Sequence, residues 1–166
     1  PKAGLTFASG LRSMLRHDPD IIMVGEIRDE ETADIAIHSA LTGHLVLSTL
    51  HTNDAAGAIP RLLDMGTEGY LVASTVNAII AQRLVRRICR NCIKEYKPPE
   101  SAMKVLKRNF GEKITNQKFY KGEGCEECGD TGYLGRVGIF EVLEVNEKIR
   151  QLTTEHVASE KIRKTA

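Results

Sequence analysis

Two short apolar runs, each ending in polar groups, constrain this chain more than any other feature. One is Ile21–Val24 inside Asp18-Pro-Asp-Ile-Ile-Met-Val-Gly-Glu26-Ile-Arg-Asp29; the other is residues 45–50 inside Thr42-Gly-His-Leu-Val-Leu-Ser-Thr-Leu-His51-Thr-Asn-Asp54. Nearly continuous apolar stretches of this length are the pattern of strands covered on both faces in a parallel sheet. Between them Ala33, Ala36, Ile37, Ala40 and Leu41 recur with the spacing of a helix that has one apolar face. Asp29 suits the N-cap of that helix, Glu30 and Glu31 suit the positive end of its dipole, and Gly43 can take the left-handed turn that closes it. Strand, helix and strand within about thirty residues make one βαβ unit. Ligands in open α/β sheets gather beyond the carboxyl ends of the strands, which puts Glu26 and His51 where chemistry would be done. Any parallel sheet ends in polar residues, so a lone acid there would mean little. Here an acid, two histidines and several hydroxyls stand at neighbouring strand ends.

A second signal is the pairing of Cys89-Arg-Asn-Cys92 with Cys125-Glu-Glu-Cys128. Each pair has metal-knuckle spacing, and Gly124, Gly129 and Gly132 supply tight turns of the kind on which knuckles sit. Cys89, Cys92, Cys125 and Cys128 would satisfy a tetrahedral zinc ion with no open position, which makes the expected site structural rather than catalytic. Metal binding would then be folding energy for a lobe of roughly fifty residues with little apolar sequence of its own. Two Cys-x-x-Cys disulfides are the rival reading, disfavoured without a secretory context. A thioredoxin-like redox role fits less well, because neither pair opens a helix after an apolar strand.

At 166 residues the chain can bury an ordinary core, as one domain plus a small lobe. Its formal charge of +1 excludes a chain that is strongly basic overall. No window approaches about eighteen consecutive apolar residues and no signal peptide opens the sequence, so a cytoplasmic protein is expected, with any membrane contact running through a protein partner. A phosphate-cradling Gly-x-x-x-x-Gly-Lys-[Ser/Thr] loop is absent from these residues.

The remaining segments connect these features. A helix is expected from near Ser9, with Arg12 and Arg16 on one face. Another should start near Gly57 and run to Met65, because Pro60 is comfortable only in a first turn, with Gly66 closing it. Residues 70–88 read as one long helix whose packing surface is Leu71, Thr75, Ala78, Ile79 and Ala81, leading into the first knuckle. Residues 94–99 read as an irregular link, 101–110 as a short helix, 135–145 as an extended segment, and the tail after Asn146 as helical.

The two opening stretches resemble the atypical Walker B motif and the histidine box of the secretion-superfamily motor ATPases, the type II secretion and type IV pilus assembly group of hexameric P-loop NTPases. Gly4-Leu-Thr-Phe-Ala-Ser-Gly-Leu-Arg-Ser-Met-Leu-Arg16, Ala81-Gln-Arg-Leu-Val-Arg-Arg-Ile-Cys89 and Gly135-Arg-Val-Gly-Ile-Phe-Glu-Val-Leu-Glu144 are similar to the same family. The four-cysteine arrangement resembles the zinc subdomain of its secretion and pilus-extension members. Retraction motors generally lack that subdomain, and their Ala-Ile-Arg-Glu motif is absent here.

The resemblance implies a partial RecA-like α/β fold: a mostly parallel sheet with flanking helices over 1–88, a zinc subdomain over 89–135, and a return segment with a C-terminal helix over 136–166. It also implies a C-terminal piece of a motor ATPase, cut between the acidic box that follows the family's phosphate loop and the Walker B strand, whose start at Pro1 without an initiator Met fits an excised fragment and which would be inactive alone. Glu26 would orient the attacking water and help hold magnesium. His51, and with it His44, would sense the γ-phosphate of ATP, with Thr49 and Thr52 supporting the His51 imidazole. Arg12 and Arg16 would face nucleotide phosphates, including those of a neighbouring subunit. Arg28 would either contact nucleotide or pair with Asp29 or Glu31. The implied partners are further copies in a homo-hexamer, a polytopic inner-membrane platform protein and cytoplasmic ring components, with no nucleic acid and no direct membrane insertion; the protein would be peripheral to the inner membrane through those partners.

Two alternatives from other classes stay open. Arg83, Arg86, Arg87, Arg90, Lys94 and Lys97 cluster beside the first knuckle, and basic zinc ribbons bind nucleic acid, although no aromatic residue sits within the cluster for stacking on bases. The other is a structural domain that docks on protein partners.

Overall fold

The computed structural model describes residues 6–166, so Gly4 and Leu5 of the first similar stretch lie outside the described residues. The chain divides into two compact units. The first runs up to Gln82 and resumes over Phe140–Ala166; the second is Arg83–Ile139.

The first unit opens with α1, Phe7–Leu15, capped by Thr6. Thr6 Oγ1 accepts from the Ser9 N–H at 3.0 Å, and Ser9 Oγ accepts in return from the Thr6 N–H at 2.9 Å. The helix thus starts ahead of Ser9, which is the partner in a capping box rather than the cap. Strand β1, Ile21–Val24, pairs in parallel with β2, Leu45–Ser48, with Ile21 opposite Leu45 and Val24 opposite Ser48. Helix α2, Glu30–Leu41, crosses between them. The Asp29 carboxylate accepts from the Thr32 N–H at 2.8 Å, as its N-cap position implies, and Gly43 takes φ of 102° beyond the helix end. Leu11, Ile22, Val24, Ile27, Ala33 and Ala36 close one core.

Coverage of this sheet on both faces is not found. Ile22 and Val24 are buried, whereas Ile21, Met23, Leu45 and Leu47 are exposed, Met23 by 70%. An apolar run therefore marks a strand here without marking two covered faces. Strand β2 also stops at Ser48, short of residue 50, because the Thr49 carbonyl turns to accept from the Ile27 N–H at 3.0 Å.

Helix α3, Ala58–Asp64, begins after Gly57 and places Pro60 in its first turn, where a missing N–H costs nothing. Helix α4 then spans only Gly69–Thr75, and the chain continues as strand β3, Ala78–Ile88. The single helix expected over 70–88 is thus replaced by a short helix and a long strand. Val76 is already extended, and Ile79 and Ala81 turn inward while Ile80 is exposed, an alternation of period two. Small and apolar residues at 71, 75, 78, 79 and 81 fit a helical face as well, and a distant partner decides the matter. That partner is β6, Tyr133–Glu144. Asn77 O accepts from the Val145 N–H at one end and Gly132 O from the Cys89 N–H at the other, each at 3.0 Å, so the two strands run antiparallel. Beyond β6 lie α6, Glu147–Thr154, and α7, Ser159–Thr165. Leu143, Val145, Ile149, Leu152 and Ile162 pack with Ala55, Ala56 and Ile59 into a second core of the first unit.

In the second unit, the first part of the irregular link expected over 94–99 is strand: β4, Ile93–Tyr96, pairs antiparallel with β5, Phe119–Gly122, with Ile93 opposite Gly122 and Tyr96 opposite Phe119, while 97–99 are irregular. Helix α5, Glu100–Phe110, lies between them in sequence. Gly122 and Gly132 pass so closely that a side chain at Gly122 would strike the Gly132 carbonyl. Arg86 stacks over the Tyr133 ring at 4.0 Å. Among the described residues every sheet has two strands, and β1 with β2 is the one parallel pair seen; the mostly parallel sheet expected is reduced to that pair. No described helix is long and apolar enough to cross a membrane.

Candidate active site and metal centre

Glu26 and His51 leave the carboxyl ends of β1 and β2 and meet. His51 Nε2 lies 2.8 Å from Glu26 Oε2, and Arg28 Nε lies 2.5 Å from the same oxygen. A carboxylate can only accept, so the His51 proton sits on Nε2. The Glu26 side chain is 20% exposed and the His51 ring 77%, which leaves the imidazole open to a ligand. Hydrogen bonds from Arg28 first, and from His51 second, hold the Glu26 carboxyl below its ordinary range. Arg28 therefore pairs with neither Asp29 nor Glu31.

Thr49 fixes this meeting in a way the sequence did not show. Its hydroxyl donates to the Gly25 carbonyl at 2.7 Å and its carbonyl accepts from the Ile27 N–H, so the residues on either side of Glu26 are both held by Thr49. Neither Thr49 nor Thr52 buttresses the imidazole, since Thr52 Oγ1 donates to the Asp54 carbonyl at 3.1 Å.

The other polar candidates lie apart from this pair. His44 precedes β2, where its Nδ1 lies 2.9 Å from the Ser39 carbonyl and 3.1 Å from Thr42 Oγ1. A strand rises about 3.3 Å per residue, so the length of β2 separates His44 from His51. Arg12 pairs with Glu31 at 2.8 Å on an exposed surface, and Arg16 is exposed at the end of α1.

In the second unit the Sγ atoms of Cys89, Cys92, Cys125 and Cys128 all lie within 4.8 Å of one another. The separations Cys89–Cys125, Cys92–Cys128 and Cys125–Cys128 are 3.8, 3.9 and 3.6 Å. These far exceed a disulfide bond of about 2.05 Å. They match the edge of a tetrahedron of sulfurs around zinc, about 3.8 Å for Zn–S bonds of about 2.3 Å. Gly129 takes φ of 57° and Gly132 φ of 75°, left-handed turns that fold the second knuckle back on itself.

The Cys128 sulfur accepts from the N–H groups of Cys125 and Gly132, at 3.2 and 3.3 Å. Burial works against its ionisation, but these backbone bonds outweigh it and lower the thiol to about 7. Cys125 also receives a favourable backbone hydrogen bond, from Cys128, yet burial and its neighbouring sulfurs push it up to about 11. One thiolate forms readily and the next is resisted by the first, the situation a divalent cation relieves. The four thiols could hold a metal ion.

Two further residues touch the loop that carries His51 and were not singled out from the sequence. Glu141 Oε2 accepts from the Ala55 N–H at 2.8 Å, and Arg163 pairs with Asp54. A lone carboxylate inside the apolar run Ile139 to Leu143 was the signal that could have found Glu141.

Comparison with known proteins gives a consistent picture. The family model for type II/IV secretion system proteins matches residues 1–166. The type IV pilus assembly ATPase PilB of Thermus thermophilus is 55% identical over 150 residues, 90% of this chain and 17% of that protein. The type II secretion system ATPase E of Vibrio cholerae is 47% identical over 152 residues, 92% of this chain and 30% of that protein. The chain thus spans less than a third of the length of these relatives. Among solved structures, the pilus retraction motor PilT with bound ADP is 30% identical at a TM-score of 0.60, covering 96% of this chain and 34% of that one. The Legionella pneumophila ATPase DotB is 25% identical at a TM-score of 0.58, covering 96% and 32%.

Proposed function

The chain belongs to the type II/IV secretion system protein family, and we propose that it is the part of a hexameric motor ATPase that carries the catalytic acid and the histidine box of a RecA-like core. The observation that carries this reading is the contact between Glu26 and His51 at the ends of two parallel strands. The relatives named as pilus assembly and type II secretion ATPases support ATP as the nucleotide and export of a pilus or pseudopilus as the work done.

In this reading Glu26 orients and polarises the attacking water. Held on one oxygen by both Arg28 and His51, Glu26 contributes positioning and charge, on which phosphoryl transfer mostly depends. His51 presents its exposed ring to the γ-phosphate, while Arg28 keeps Glu26 aligned. Magnesium bound with ATP would neutralise phosphate charge, with Glu26 the chain's carboxylate placed to help hold it. Arg12 and Arg16, both on exposed ground, remain candidates for phosphates of a neighbouring subunit; Arg12 must first leave Glu31. His44 stands away from this centre and is proposed for no step in it. The cysteine cage is read as a structural zinc site, and the secretion and assembly branch is favoured by it. Docking on a membrane platform protein and on ring components is part of the same proposal.

Steady-state phosphate release tests it. The complete motor should hydrolyse ATP and the 166-residue chain alone should not, because the phosphate loop is absent from these residues. A complete motor without nucleotide-dependent turnover, or a chain that turns over ATP unaided, would overturn the reading.

A further inference from the structure

The loop that carries His51 is tied at both ends. On the near side Thr49 binds the backbone around Glu26. On the far side the Ala55 N–H donates to Glu141 Oε2 at 2.8 Å, from a residue 86 positions later in the chain. Next to it the Asp54 carboxylate accepts from the Gly57 N–H through Oδ1, at 2.8 Å, and from the Arg163 guanidinium through Oδ2. Ala55 is 1% exposed, so its N–H has no solvent to turn to if Glu141 is lost. A buried donor without a partner is costly, and the loop would shift to find one. Glu141 lies on β6 and Arg163 on α7, so both tethers come from the C-terminal segment.

We propose that Glu141, with Arg163 as a second tether, is a positioning residue for His51: by fixing where the loop leaves the core, it sets His51 Nε2 against Glu26 Oε2. This rests on the reading of Glu26 and His51 as the hydrolytic centre. A residue that served stability alone would change the amount of folded protein and leave the site of each folded molecule as it was. A positioning residue moves the site itself.

The test compares Glu141→Leu, Glu141→Gln, Arg163→Ala and Arg163→Lys in the complete motor, by kcat and KM for ATP and by the NMR resonances of the His51 ring at fixed pH. Glu141→Leu should lower kcat roughly ten- to hundredfold while KM stays within about twofold, the signature of lost alignment rather than lost binding. Glu141→Gln keeps an oxygen to accept from Ala55 and should recover most of the rate. Arg163→Ala should show a smaller loss of the same kind, restored by Arg163→Lys. In both damaging variants the His51 ring resonances should move away from those of the wild type. Unchanged kcat per folded molecule together with unchanged His51 ring resonances would overturn the proposal. If Glu141→Leu does not fold, the exposed Arg163 pair of variants decides it. If His51→Ala leaves turnover intact, the hydrolytic reading fails, and the His51 ring resonances in the Glu141 and Arg163 variants still decide whether the tether positions the ring.

Discussion

A single oxygen, Glu26 Oε2, accepts from Arg28 and from His51, and the two donors have one electrostatic consequence. The folded carboxyl binds a proton less readily than the unfolded one, so its contribution to stability is present above the ordinary glutamate value of 4.5 and is lost as pH falls through the lower folded value. Carbon-detected titration should place the Glu26 midpoint below that of an ordinary glutamate, and Arg28→Ala should raise it further than His51→Ala. A midpoint at the ordinary value that neither substitution moves would remove the pairing. Glu26 and His51 were legible in the sequence because each follows an apolar run. The contacts of Glu141 and Arg163 were not, because their partners Ala55 and Asp54 stand 86 and 109 positions away; a carboxylate inside an apolar run marks Glu141 but not the N–H that it meets. The pairing of Arg28 was hidden for the opposite reason: Glu26, Asp29 and Glu31 all stand close by, and only the turn after β1 selects among them.

Secondary elements were legible where caps and short-range spacing decide them. Asp29 caps α2, and Asn146 caps α6 by accepting from the Ile149 N–H at 3.2 Å. Replacing Asp29 by Ala should therefore lower stability by about 1 kcal/mol in denaturant unfolding, with Asp29→Ser nearly neutral. The strand character of β3 was not legible, because Ala78, Ile79 and Ala81 satisfy two periodicities and the choice belongs to β6, far along the chain. The same holds for β4, whose partner β5 follows an intervening helix. The uncovered face of β1 and β2 shows a further limit. Burial depends on what lies above a strand, and the apolar residues Ile21, Met23, Leu45 and Leu47 read alike whether covered or not.

The chain as a whole divides into two units of different build. The first has apolar cores, whereas among the described residues Cys89 and Cys128 are the only buried apolar side chains of the second. On the proposed reading, zinc held by the four thiols would supply the second unit with folding energy, on the order of 10–16 kcal/mol in apparent terms for small zinc domains. Chelation should release one zinc and four titrating thiols per chain and remove amide protection over Arg83–Ile139, while Ile22, Val24 and Ile59 stay protected. Equal loss in both units would contradict separate stabilisation. The most direct measurement, however, concerns the site in the first unit: nucleotide binding and phosphate release by the complete motor with Glu26→Gln. Binding within about threefold of wild type with turnover abolished is expected if Glu26 acts on the attacking water. Hydrolysis at the wild-type rate would contradict the assignment of the hydrolytic centre to Glu26.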